Sequence, residues 1–144
     1  MRRLISSADA APRVGAMADV GALLRQRSSD RVSVNVPAEP VLLDAEVAAE
    51  LYAAAANALD NSAAHAGADA RAFVLLEDLG DAVTVSIRDD GIGIPDGRLQ
   101  EALGEGRVGV AKSIVGRMNW LGGSAKLNTG PGGGTEWELT VPRK

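Results

Sequence analysis

The chain contains no cysteine, so neither a disulfide nor a thiolate metal site can contribute to its fold or function. Aromatic residues make up only 3% of the sequence, and the core must therefore be built from alanine, valine, leucine and isoleucine. No apolar run approaches the roughly 20 residues that a membrane-spanning helix needs. The first residues, Met1 to Ile5, are too short to act as a secretory signal. These absences favour an intracellular protein.

The charge balance argues against a nucleic-acid-binding surface, since the net charge is −4 and the pI is near 5.0. At 144 residues, with 46% apolar and 24% charged residues, the chain is expected to form one globular domain with a substantial core. Residues 1–16 are small and polar, and they are expected to form a linker that precedes a domain over 17–144.

The most informative stretch is a predicted strand that ends in two acids and a glycine-rich turn. Apolar and polar residues alternate over 83–88, and Asp89 continues the apolar face. A buried carboxylate is costly unless a donor reaches it, and the following Gly91 and Gly93 provide no side-chain donor. These glycines do allow another molecule to approach the backbone closely. We therefore expect a ligand to supply the hydrogen-bond partner of Asp89.

The remaining pattern predicts an α/β protein in which helices cover one face of a mixed, mostly antiparallel sheet, forming a two-layer sandwich. Asp19 and Asp44 are the expected N-caps of its first two helices. Helices are predicted over 20–28, 44–66 and 108–121, and strands over 31–36, 71–78, 82–89, 124–129 and 135–141. Of the 17 glycines, 13 lie after residue 90, which points to function in the C-terminal part.

Four short motifs follow one another at regular places in this pattern. They are Asn57 to Asn61 on a helix, Asp89-x-Gly91-x-Gly93 at a strand end, Gly106 to Gly109 before a helix, and Gly132 to Thr135 opening a strand. In this order they resemble the sequence boxes of the GHKL ATPase superfamily (gyrase, Hsp90, histidine kinase, MutL), which has the Bergerat-type fold. The resemblance covers residues 31–142 and is closest to the catalytic domains of nitrate-sensor-type bacterial histidine kinases.

The resemblance implies roles for particular residues in binding ATP and Mg²⁺. Asn57 and Asn61 match catalytic asparagines of the helix, and the oxygen of Asn61 matches the Mg²⁺ ligand. Asp89 matches the acid that accepts a hydrogen bond from the adenine amino group, and Thr135 joins its network. Residues 96–107 match a movable ATP lid. Nucleotide contacts are also implied for a further set: Gly91, Gly93, Gly106, Arg107, Gly109, Lys112, Gly132 and Gly134.

The chain departs from the family pattern at two helix positions. Ala64 stands where many relatives have Lys or Arg, and Asn57 stands where nitrate-sensor-type relatives carry Glu. Because that glutamate is a candidate base, strong stand-alone hydrolysis is not expected. Arg107 or Lys112 is the candidate replacement for the missing phosphate-directed charge.

The resemblance implies a cytoplasmic catalytic domain that passes the γ-phosphoryl group of Mg·ATP to a histidine on a separate dimerisation segment. The only histidine, His65, lies inside the nucleotide-binding helix and is interpreted as a helix-end residue, not as the acceptor. Residues 1–16 would then be a remnant of the connection, the parent kinase could be membrane-anchored, and a response regulator would be the indirect partner. The isolated domain is expected to be monomeric. Two alternatives remain open: a serine kinase of the anti-sigma-factor type, and a nucleotide-dependent interaction module without phosphotransfer.

Overall fold

A computed structural model describes residues 16–65, 70–91, 108–129 and 134–143. In this part of the chain the helices are α1 (Val20–Arg25), α2 (Ala45–His65) and α3 (Val108–Trp120). The strands are β1 (Met17–Asp19), β2 (Val32–Asn35), β3 (Leu42–Asp44), β4 (Ala72–Asp78), β5 (Ala82–Asp89), β6 (Ser124–Thr129) and β7 (Thr135–Pro142).

The main sheet has five strands in the order β2-β4-β5-β7-β6. Strands β2 and β4 are parallel, whereas the other three pairs are antiparallel. Strands β4 and β5 form a hairpin that is closed by a hydrogen bond from Leu79 N to Ala82 O, 2.8 Å. The mixed, mostly antiparallel sheet predicted from the sequence is therefore confirmed.

Strands β1 and β3 form a second, two-stranded sheet that the sequence pattern did not predict. Each has only three residues, too few for an alternation to be recognised. Asp19 joins the two strands, because its Oδ1 accepts from Gly21 N at the start of α1 and from Val41 N before β3. Asp19 is thus the N-cap of α1, as predicted, and α1 ends at Arg25, before the expected Ser28.

Helices α2 and α3 pack against each other and against one face of the main sheet. Asp44 begins α2, since its Oδ1 accepts from Glu46 N at 3.0 Å. The core between helices and sheet is built almost entirely from aliphatic residues, as the composition requires. Its fully buried side chains include Leu51, Ala55, Val74, Val83, Val85, Ile114, Met118, Leu139 and Val141.

Two ion pairs connect α2 to neighbouring parts of the chain. Arg117 on α3 lies 2.6 Å from Glu50, and Arg27 lies 2.6 Å from Asp60. The hydrogen bond to Asp60 raises the pKa of the Arg27 guanidinium above its ordinary value. That group is charged at all physiological pH values in either case, so the shift has no consequence near neutrality.

The opposite face of the main sheet is left without a covering helix among the described elements. Arg88 on β5 lies over the ring of Phe73 on β4, 5.3 Å from its centroid, in a cross-strand pair. Thr84, also on this face, is nevertheless 6% exposed. Its hydroxyl oxygen has no hydrogen-bond partner in the described part of the chain.

The predicted strand over 71–78 begins one residue later than expected, and the predicted strands over 82–89 and 124–129 have the expected bounds. The expected end of the second helix at residue 66 and the expected lid over 96–107 lie outside the described residues. Of the helices the structure describes, none combines the length and the apolar character that crossing a membrane requires.

Candidate functional site

Asp89 ends strand β5 on the same face as Val85 and Ile87 and is 5% exposed, as the alternation predicted. Its carboxylate accepts three hydrogen bonds from the chain itself. Oδ1 accepts from Gly91 N at 3.0 Å and from Thr135 N at 3.2 Å. Oδ2 accepts from the hydroxyl of Ser62 at 2.9 Å. The expectation that the chain offers Asp89 no donor was therefore wrong, because it considered side chains of the turn and not its backbone.

The start of β7 brings Thr135 beside Asp89, since the two residues are directly paired between the strands. The contact that links them comes from the backbone N–H of Thr135, and this residue is half-buried. Gly134 precedes it and has a φ of +76°, a backbone conformation that residues with a side chain rarely adopt. Gly134 and Thr135, both predicted to contact the nucleotide side of the site, thus lie beside Asp89.

Helix α2 carries the polar residues that face the site from the other layer. Asn57 and Asn61 are both half-buried and lie one turn apart on α2. The amide nitrogen of Asn57 donates to the hydroxyl of Ser113 on α3, 3.2 Å away. Asn57 therefore links the two helices, a contact that the sequence did not predict.

The side-chain oxygen of Asn61 is buried and has no hydrogen-bond partner within the described residues. An orphaned acceptor of this kind is rare and calls for a partner from outside the described residues. Amide oxygens are ligands that Mg²⁺ accepts, together with waters and phosphate oxygens. The described residues contain no cluster of three or more acids or histidines that could hold a metal alone. Asn61 thus fits a metal that a ligand's phosphates would help to hold.

The other predicted site residues divide into those described and those not. Gly91 is half-buried at the end of β5, Gly109 lies in the first turn of α3, and Lys112 is exposed on that helix. The structure brings Asn61, Asp89, Gly91, Gly134 and Thr135 toward the same end of the sheet. Gly93, Gly106, Arg107 and Gly132 lie outside the described residues.

Ser62 is the site residue that sequence reasoning missed. Helical spacing places Ser62 on the packing stripe of α2 that is formed by Leu51, Ala55 and Ala58, which are all buried. A hydroxyl on an otherwise aliphatic stripe that faces a strand ending in a carboxylate is a signal for a hydrogen bond. That signal was available in the sequence but was not used.

The fold defines a class: an α/β sandwich in which helix α2 and the ends of β5 and β7 surround a buried carboxylate. The sequence profile of the "Histidine kinase-, DNA gyrase B-, and HSP90-like ATPase" family matches residues 46–144, more than half of the chain. The chain belongs to this family of GHKL ATPases. Among curated proteins, no sequence matches this chain.

Solved structures of histidine kinases share the fold. The ATP-binding domain of PrrB from Mycobacterium tuberculosis is 26% identical, with a TM-score of 0.66, over 90% of this chain and 97% of that one. The blue-light-activated histidine kinase from Erythrobacter litoralis is 26% identical, with a TM-score of 0.60, over 86% of this chain. The histidine kinase domain of that protein is 24% identical, with a TM-score of 0.63, over the same 86%.

The chain covers 39% of the Erythrobacter litoralis kinase and 57% of its kinase domain, but nearly all of the PrrB ATP-binding domain. The chain therefore spans only part of the length of the two Erythrobacter litoralis structures. The chain is a GHKL ATPase domain that shares its fold with histidine kinase ATP-binding domains, as the four sequence motifs predicted.

Proposed function

We propose that this domain binds Mg·ATP and donates the γ-phosphoryl group to a histidine on a separate dimerisation segment, as part of a two-component sensor kinase. The observation that carries the proposal is the buried Oδ1 of Asn61, which has no hydrogen-bond partner among the residues that the structure describes. It lies one residue before Ser62, whose hydroxyl holds Asp89. One turn of α2 thus offers an acceptor for a cation beside the group that would recognise the base.

Asp89 is proposed to recognise adenine. An ionised carboxylate has about four lone-pair sites, two on each oxygen. Among contacts within the described residues, Oδ1 uses both of its sites, on Gly91 N and Thr135 N. Oδ2 uses one site, on Ser62. The remaining site on Oδ2 can accept from the amino group of adenine, and a buried position strengthens that bond.

Asn61 is proposed as the protein ligand of Mg²⁺. When bound, the metal would neutralise phosphate charge and help to orient the γ-phosphoryl group, which is most of what phosphoryl transfer requires of a protein. The backbone of Gly91, Gly93, Gly134 and the neighbouring Gly132 is proposed to border the nucleotide.

The phosphates are proposed to lie near the start of α3, where unpaired N–H groups and the helix dipole favour anions. This proposal includes Gly106, Arg107 and Gly109, and a lid over 96–107. Lys112 is exposed one turn into α3 and is free to extend toward solvent-facing phosphates. Asn57 is proposed as a catalytic residue whose amide is oriented by Ser113.

The transfer itself breaks the bond between the γ-phosphorus and its bridging oxygen and forms a phosphorus–nitrogen bond to the acceptor imidazole. ADP leaves with the bridging oxygen. Because the imidazole is itself the nucleophile, no general base is needed in this domain. We propose that the acceptor lies on a dimerisation segment of the parent kinase, that 17–144 is the catalytic domain, and that it works in the cytoplasm with a response regulator downstream.

The test is a transfer assay with ATP labelled on the γ-phosphate. The chain is mixed with a dimerisation domain that carries the acceptor histidine, and the labelled residue is identified by its acid lability and by mass spectrometry. Label on histidine supports the proposal. Label on serine of a partner would overturn it in favour of an anti-sigma-type kinase, and ATP binding without any transfer would favour an interaction module.

A further inference from the structure

The hydrogen bond between Ser62 and Asp89 joins the helical layer to the sheet across 27 residues of sequence. Ser62 Oγ lies 2.9 Å from Oδ2, whereas both backbone donors contact Oδ1. The two oxygens of the carboxylate are therefore fixed by different layers of the fold. Oδ1 accepts from backbone N–H groups of the turn and of β7. Within the described residues, Oδ2 accepts only from Ser62 on α2.

This division matters because the last torsion of an aspartate is broad and only weakly restricted by its own chain. Both oxygens turn together about that torsion, so hydrogen bonds to Oδ1 from the sheet and to Oδ2 from α2 restrict it from two sides. The Ser62 hydroxyl supplies the restraint from the helical layer, occupies one lone pair of Oδ2 and leaves the other in a defined direction. A ligand donor that meets this lone pair avoids the entropy of ordering the acceptor.

We infer that Ser62 is a positioning residue for base recognition, which holds Oδ2 of Asp89 so that the site selects purines with an amino donor over those without one. The inference rests on the proposed function, since it takes Asp89 as the group that contacts the base. It gives a physical reason for a hydroxyl on the aliphatic stripe of α2. It also couples base recognition to the neighbouring Asn61 through one turn of helix.

The experiment compares ATP with purine riboside triphosphate, which has the same phosphates and sugar but lacks the amino group. Affinities are measured by calorimetry for the wild-type chain and for Ser62→Ala, Ser62→Thr and Ser86→Ala. Ser86 is the matched control, because it is half-buried on the opposite face of β5 from Asp89. Alanine is the best helix former, so Ser62→Ala is expected to fold.

The wild-type chain and Ser86→Ala are expected to prefer ATP by about tenfold or more, the effect of one hydrogen bond to a charged acceptor. In Ser62→Ala this preference is expected to shrink to about threefold or less, while binding of purine riboside triphosphate is little changed. Ser62→Thr keeps the hydroxyl and is expected to restore the preference.

Two results would overturn the inference: full retention of the preference in Ser62→Ala, or an equal loss of affinity for both nucleotides in that variant. The second result would indicate a merely structural role, and urea unfolding of the variant checks that it is folded. Failure of the wild-type chain to bind either nucleotide would be different. It would overturn the proposed function, and the inference with it.

Discussion

Gly134 and Asp89 approach so closely that a Cβ atom on Gly134 would lie 2.1 Å from the backbone carbonyl oxygen of Asp89. The φ of Gly134 is +76°, so both the space and the backbone conformation require glycine. This contact lets β7 begin beside the end of β5 and brings Thr135 N within 3.2 Å of Oδ1 of Asp89. Gly134 therefore contributes to the candidate site by shaping the surroundings of Asp89.

Gly134→Ala is expected to destabilise the fold by about 2 kcal/mol or more, because a left-handed conformation and a backbone clash are combined. Gly80→Ala is the matched control. Gly80 also has a positive φ, +94°, but no heavy atom lies within 4 Å of the added Cβ. Gly80→Ala should therefore lose only the stability that the left-handed backbone conformation costs, about 1 kcal/mol. Urea unfolding measures the free energy of unfolding of both variants. Equal losses would contradict the close contact between Gly134 and Asp89.

The sequence predicted those parts of the site that depend on local periodicity. The alternation over 83–88 was sufficient to place Asp89 on the buried face, because a strand has a strict period of two. It was not sufficient to identify the donors, since Ser62 and Thr135 are 27 and 46 residues away in sequence. Two of the three donors are backbone N–H groups, which every residue except proline carries, so residue identity gave no signal.

A comparison of alanine variants of Asn57 and Asn61 separates effects on stability from effects on ligand binding. Both are half-buried on α2, but the Asn57 amide has a partner in Ser113 and the Asn61 oxygen has none within the described residues. Replacing either by alanine gains the same helix propensity. Asn61→Ala is therefore expected to be more stable than Asn57→Ala by about 1 kcal/mol, the value of one hydrogen bond.

The same Asn61→Ala variant should lose the extra stabilisation that Mg²⁺ adds to ATP. Thermal unfolding is measured with ATP alone and with Mg·ATP, since a ligand stabilises the state that binds it. In the wild-type chain the magnesium form is expected to give the larger shift in Tm. A magnesium effect that survives unchanged in Asn61→Ala would exclude Asn61 as the metal ligand.

Thr84 offers a stability test on the sheet face away from the site. It is 6% exposed and its hydroxyl oxygen has no partner in the described part of the chain. Because a buried, unpaired hydroxyl opposes folding, Thr84→Val should stabilise the protein by up to about 1 kcal/mol. Thr84→Ser keeps the hydroxyl, loses a methyl group and should destabilise by about the same amount. A loss of stability in Thr84→Val would show that the hydroxyl is satisfied.

Asp89 and the neighbouring Asp90 differ in burial, and this difference makes them a sharp test of base recognition. Asp89 is buried among three donors, whereas Asp90 is exposed and accepts from Arg71 N at 2.7 Å. In Asp89→Asn the amide oxygen can still accept from Gly91 N and Thr135 N. The amide nitrogen would face Ser62, whose hydroxyl can rotate to accept from it. The fold should therefore survive.

Nucleotide binding should not survive that change, because an amide nitrogen presents hydrogen atoms where the adenine amino group needs a lone pair. We expect the affinity for a fluorescent ATP analogue to fall by about a hundredfold or more in Asp89→Asn. Asp90→Asn should bind like the wild-type chain, since the carboxylate of Asp90 is exposed and, within the described residues, accepts from the backbone of Arg71. Urea unfolding of both variants checks that they are folded. Unchanged affinity in a folded Asp89→Asn would mean that the buried carboxylate fixes the ends of β5 and β7 and takes no part in recognising the base.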